Sequence, residues 1–132
     1  MKDEAISDDV PRTTAGAAVI MELNTIQKAV RWDVKIQQGS TFVRTMDLLE
    51  LNLSGLWFRG QIRREHEDEE VLAEYTFEVE LPNTLTVKLT EAQTQALPAE
   101  RLVHDIEMVR DDPPFVARIL EGRVTVTPEV TR

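Results

Sequence analysis

The side chains best suited to chemistry in this sequence are its two histidines, whose ordinary pKa lies nearest neutrality. His104 precedes Asp105, a pairing that invites comparison with a catalytic dyad. Neighbouring residues on a strand point to opposite faces, so these two cannot pair side by side. A dyad also needs a nucleophile, and the chain has no cysteine and no serine in a nucleophile turn. His104 is therefore expected as a core or interface ring with its nitrogens satisfied. His66 lies in Arg64-Glu65-His66-Glu67-Asp68-Glu69-Glu70. A histidine among carboxylates could hold a cation, but consecutive loop residues rarely converge on one ion. The expectation is a solvated hairpin tip whose Glu67, Asp68 and Glu69 can meet a basic neighbour, because complementary charge steers association. Trp57 and Arg59 have the composition of a contact hot spot, or of a surface covered by the chain's own N-terminal arm. Arg132, at the C-terminus, either reaches into a neighbour or frays. No catalytic, metal or cofactor residue is expected, and the chain reads as a non-enzyme.

The stretch around Trp57 indicates what must position these groups. Asn52-Leu53-Ser54-Gly55 reads as a turn, after which Phe58, Gly60 and Ile62 fall on one side and Trp57, Arg59, Gln61 and Arg63 on the other. A period of two is that of a half-buried strand. Gly60, on the inward side, leaves room for a large side chain from a facing sheet. The same alternation recurs over Val30–Gln37, Thr41–Leu49, Val71–Glu80, Leu85–Leu89 and Leu102–Met108. Gln38-Gly39-Ser40, Pro82-Asn83 and Asp111-Asp112-Pro113-Pro114 supply turns between strands. Thr90 and Gln93 have the spacing of a capping box, so one short helix is expected near 91–97, ended by Pro98. Beyond Phe115 the alternation changes phase, and Gly122 marks the expected β-bulge. Seven to eight strands at about ten-residue intervals are the signature of an antiparallel sandwich. Its expected core is Trp32, Val34, Ile36, Phe42, Phe58, Ile62, Tyr75, Phe77, Val79, Val87, Leu89, Leu102, Ile106, Ile119, Val124 and Val126.

Composition narrows the remaining classes. The length of 132 residues suits one domain, and a chain of that size buries about two-thirds of its unfolded surface without needing a metal or disulfide. The formal net charge of −9 argues against a nucleic-acid backbone or an anionic membrane surface as partner. The longest apolar run, Ala17 to Met21, is far shorter than the roughly 20 residues of a membrane span. Met1-Lys2-Asp3-Glu4 does not begin a signal peptide. Residues 1–28 are expected as an acidic arm and extended lead-in, because the first half holds too little apolar surface to offset its ordering entropy. Residues 29–132 form the sandwich domain.

The order of landmarks resembles a group of small immunoglobulin-like domains of tailed-bacteriophage and prophage virion proteins, including the N-terminal domain of upper baseplate proteins. The matching residues are Gln38-Gly39-Ser40-Thr41-Phe42, Leu53-Ser54-Gly55 with Gln61-Ile62-Arg63, and Leu85-Thr86-Val87-Lys88-Leu89-Thr90 with Ala96-Leu97-Pro98. Val103 to Glu107 and Ile119 to Thr131 continue the match, which covers about residues 34–132. His104 stands where such domains commonly have tyrosine, and Phe58 where they commonly have a small residue. The resemblance implies a structural role without catalytic residues. On that basis the chain would be an adaptor linking the tail to fibres or baseplate components, made in the host cytoplasm and located in the virion. Its partners would be other virion proteins, with a homo-oligomer possible. A neck or head-decoration protein, or a carbohydrate- or receptor-binding module, are the alternatives.

Overall fold

The computed structural model describes residues 29–131 and the two-residue strand Val19–Ile20. In chain order the elements are β1 (Val19–Ile20), β2 (Val30–Arg31), β3 (Val34–Gln37), β4 (Phe42–Leu49) and β5 (Leu56–Arg63), then β6 (Ala73–Glu74), β7 (Thr76–Glu80) and β8 (Thr84–Leu89), then helix α1 (Glu91–Gln95), β9 (Arg101–Arg110) and β10 (Phe115–Thr127). They form an all-β, immunoglobulin-like sandwich. One sheet runs β1-β4-β8-β7; the other runs β2-β10-β9-β5-β6, with β3 also on β10. The long pairings, β4 with β8 and β9 with β5 and β10, are antiparallel. Among the described residues, parallel pairing is confined to β1 on β4 and to β2 and β3 on β10. β2 and β3 are one extended stretch broken at Trp32-Asp33, and β6 and β7 are another broken at Tyr75. Counted that way, the segments are the expected seven to eight strands. Apart from β1, the N-terminal arm lies outside the described residues.

Two local devices hold this topology. At Tyr75 the chain leaves one sheet for the other: Ala73 and Glu74 pair with β5, and Thr76 to Glu80 pair with β8. The Tyr75 amide still donates to the Gly60 carbonyl at 3.0 Å. A Cβ on Gly60 would lie 3.0 Å from the Tyr75 ring. The room at Gly60 therefore serves the crossing strand rather than the facing sheet. The second device is α1. Its capping box is complete, with the Gln93 amide donating to Thr90 Oγ1 at 3.1 Å and the Thr90 amide to Gln93 Oε1 at 2.9 Å. Thr94, fully buried, donates to the Ser40 carbonyl at 2.8 Å and so fastens α1 to the turn that joins the sheets.

The core follows the alternation with informative exceptions. Val34, Ile36, Phe42, Phe58, Ile62, Tyr75, Val87, Leu89, Leu102, Ile106, Ile119, Val124 and Val126 are buried as expected. Trp32 and Phe77 are only partly buried, and Val79 is 40% exposed. These residues sit on edge strands, where one flank has no neighbouring strand to cover it. Leu51 and Leu53 lie between strands yet are buried, because their amides donate to the Leu48 and Pro82 carbonyls and turn that segment inward. The bulge in β10 falls between Arg118 and Leu120, not at Gly122. The extra residue there lets Ile119 and Leu120 both face the core.

Gly122 has another task. It pairs with His104 across the β9–β10 ladder, and a Cβ there would sit 2.2 Å from the Trp32 carbonyl oxygen. That neighbour is backbone and cannot swing aside. Gly122→Ala should therefore lower the unfolding free energy by about 1–3 kcal/mol. The loss is read as a lower urea midpoint with an unchanged denaturant slope.

Candidate functional site

Among the described residues, the buried polar side chains are Thr94, which fastens α1, and His104, which joins a cluster with Tyr75 and Trp32. The His104 ring is 2% exposed and lies on β9, between the crossing residue Tyr75 and the break at Trp32. Nε2 is 2.7 Å from the Trp32 carbonyl oxygen, and Nδ1 is 2.7 Å from Tyr75 Oη. A carbonyl can only accept, so Nε2 carries the proton. In the neutral ring Nδ1 must then accept from the tyrosine hydroxyl. Trp32 stacks on the same ring with centroids 5.3 Å apart. Burial pushes the His104 pKa down to about 4, against smaller opposing contributions from the Trp32 carbonyl and the Asp33 carboxylate. Burial also raises the Tyr75 hydroxyl well above its ordinary value, which keeps it protonated as a donor. Asp105 points away from this cluster, toward Arg118 at 3.5 Å, and its partial burial raises its pKa. The dyad reading fails on geometry, and both imidazole nitrogens are already engaged.

The outer face of the six-stranded sheet carries Trp57 and Arg59. Trp57 is 42% exposed, and its indole N–H donates to Asp111 Oδ1 at 3.1 Å. Arg59 lies over the Trp57 ring at 5.8 Å and forms a 2.6 Å ion pair with Glu107. The register places Trp57, Val109 and Val116 side by side on β5, β9 and β10. Val116 is exposed, so Trp57 belongs to an apolar row bordered by charge. The sequence indicated the outward direction of Trp57 and Arg59. It gave no signal for Val116, Glu107 or Asp111, which reach the corner through pairing alone.

Glu67, Asp68 and Glu69 lie on the connection between β5 and β6, far from that corner in register. Arg63 donates to the Asp68 carbonyl, and Arg64 pairs with Glu70 at 3.2 Å and Glu100 at 3.5 Å. Glu67 and Glu69 are exposed. Arg132 lies outside the described residues. Among the described residues no three histidine, aspartate or glutamate side chains converge as a metal site would require. No described helix is long and apolar enough to cross a membrane.

Because folding lowers the His104 pKa, the unfolded chain binds the extra proton first as pH falls. Stability at this residue is complete above pH 6.5 and is lost as pH falls toward about 4. The loss amounts to about 3 kcal/mol. Urea unfolding from pH 7 to pH 4 should show this extra acid slope in the native sequence and not in His104→Gln.

No protein-family model and no curated protein matches this sequence. Among solved structures the chain is similar to CopC from Methylosinus trichosporium OB3b, with a TM-score of 0.44 and 13% identity over 74% of this chain and 88% of that one. At that degree of similarity nothing about binding or activity carries across.

Proposed function

We propose that this chain is a non-enzymatic structural protein of a bacteriophage virion, an adaptor joining the tail or baseplate to a neighbouring component. The observation that carries this reading is where contact chemistry lies relative to reactive chemistry. The buried histidine has both nitrogens engaged within the fold. The exposed features, by contrast, suit protein contact: the Trp57 and Val116 row beside Arg59, and two open strand edges. Among the described residues β7 is paired only on its β8 side, and β5 meets β6 only at Gln61 and Ile62. An extended segment of a neighbour can add to such an edge through main-chain hydrogen bonds. The virion setting rests on the motif order of residues 34–132, which resembles the phage sandwich domains. A place in the neck or on the head would use the same surfaces. A sugar platform is less well served, because Arg59 lies over the Trp57 ring and Asp111 occupies its N–H.

Cross-linking of the assembled particle should join this chain to tail or baseplate components. Trp57→Ala should weaken capture of the cross-linked neighbour by about tenfold or more, as expected of a contact hot spot, with the unfolding midpoint unchanged. Unchanged capture would remove Trp57 from the contact. Deleting residues 1–18 tests the arm separately, and undiminished incorporation into particles would leave it no assembly role.

A further inference from the structure

The chain is acidic overall, yet one end of the outer face of the six-stranded sheet is basic. Arg63 on β5 and Arg123 on β10 both lie opposite Val103 of β9. Arg101 of β9 and Lys35 of β3 both lie opposite Thr125 of β10. With neighbouring strands about 4.8 Å apart, these four cations span a face about 15 Å wide. Lys35, Arg101 and Arg123 are exposed and form no ion pair among the described residues, while Arg63 bonds to the Asp68 carbonyl and to Gln61. Asp33 accepts from the Arg31 side chain and the Arg123 amide, and the same-face row next to the basic end carries Asp105 and Glu121, of which Asp105 feels the Arg63 charge.

The complementary surface is in the same chain. The tip that follows Arg63 carries Glu65, Glu67 and Glu69, all exposed and none in an ion pair among the described residues. The tip is tethered beside the Arg63 edge of that face, since Arg63 holds the Asp68 carbonyl and Arg64 bridges Glu70 and Glu100, which leaves the Glu65, Glu67 and Glu69 carboxylates without an ion pair among the described residues. Tip and basic face therefore stand side by side at one end of the molecule. That is the arrangement a two-fold axis can satisfy, each tip meeting the other copy's face. The net charge of −9 opposes association at long range, and the contact pairs must outweigh it. Screening acts beyond about 8 Å at physiological ionic strength, whereas contact pairs near 4 Å keep most of their attraction.

We propose that two copies of this chain associate about a two-fold axis, the acidic tip of each seated on the Lys35, Arg63, Arg101 and Arg123 face of the other. This contact extends the assembly reading by naming one partner, and it is tested separately from it. Light scattering on the full chain in about 0.05 M salt should give twice the single-chain mass of 15.1 kDa, falling to that mass above about 0.5 M as screening shortens. Arg101→Glu with Arg123→Glu, and Glu67→Lys with Glu69→Lys, should each give the single-chain mass at low salt. Mixing the two variants should restore the doubled mass, because both tip-to-face contacts are then complementary again. Lys35→Glu with Arg123→Glu replaces the first variant if that one fails to fold. A native chain that stays at 15.1 kDa at low salt overturns the proposal. So does a doubled mass that survives either charge reversal, or one that mixing does not restore. A single-chain result would leave the particle cross-links of the assembly reading untouched.

Discussion

Three parts of the chain meet at the His104 ring, and the sandwich can close as it does only because they can reach it. The Tyr75 hydroxyl arrives from the strand that crosses between sheets, and the Trp32 carbonyl arrives from the break in the edge strand. Two glycines on the inner face make the approach possible. Gly60 on β5 leaves space for the Tyr75 ring, and Gly122 on β10 lets the Trp32 backbone come within reach of Nε2. A strand that breaks its ladder exposes a backbone carbonyl that must find a partner, and the imidazole supplies one. The ring is well suited because a neutral histidine donates and accepts at opposite ends. Leaving either neighbour unsatisfied in the interior would cost about 1–3 kcal/mol. The lowered pKa is the other side of the same arrangement, since a charged ring could not accept from Tyr75.

How much of this could be read from the residues depends on whether a feature is local. Alternation is local, and it identified the inward faces of β3, β5, β8 and β9 and the satisfied ring of His104. The capping box of Thr90 and Gln93 was legible for the same reason. Pairing partners are not local. Nothing in Val30 to Ile36 indicates that β2 and β3 run parallel to a strand some ninety residues later. Val79 alternates as well as Phe77 does, but its exposure follows from lying on an edge, which alternation cannot reveal. Glycine is the usual marker of a bulge, so the residues alone point to Gly122. The phase change is in fact made by two adjacent apolar residues, Ile119 and Leu120, and the glycine answers a steric demand from Trp32.

The candidate contact site divides along the same line. Trp57 and Arg59 could be assigned outward from their own stretch, and they are outward. Their partners Asp111 and Glu107 lie 54 and 48 positions away and enter only through the β5–β9 register. The basic face is less visible still, because Lys35, Arg63, Arg101 and Arg123 come from four strands and each sits in an unremarkable alternating segment.

Charge on this fold contributes little to holding it together. The Arg31–Asp33, Arg64–Glu70 and Lys88–Glu78 pairs have well-exposed partners, and pairs of that kind contribute at most about 1 kcal/mol each. The apolar interior and the His104 cluster already account for the closing of the two sheets, so the outer face is free to vary without endangering the fold. Its pattern is nevertheless ordered. An apolar row at Trp57, Val109 and Val116 is followed by Arg59, Glu107 and Arg118, then by Gln61, Asp105 and Glu121, and last by the basic end. The charged rows alternate in character, a mixed row of paired Arg59 and Glu107 with Arg118 lying between the apolar row and an acidic one. Where such a patterned face meets another surface, a wrong register sets like charges against each other. The physical division is therefore between an interior that fixes the shape and an outer face whose side chains are ordered in rows across the strands.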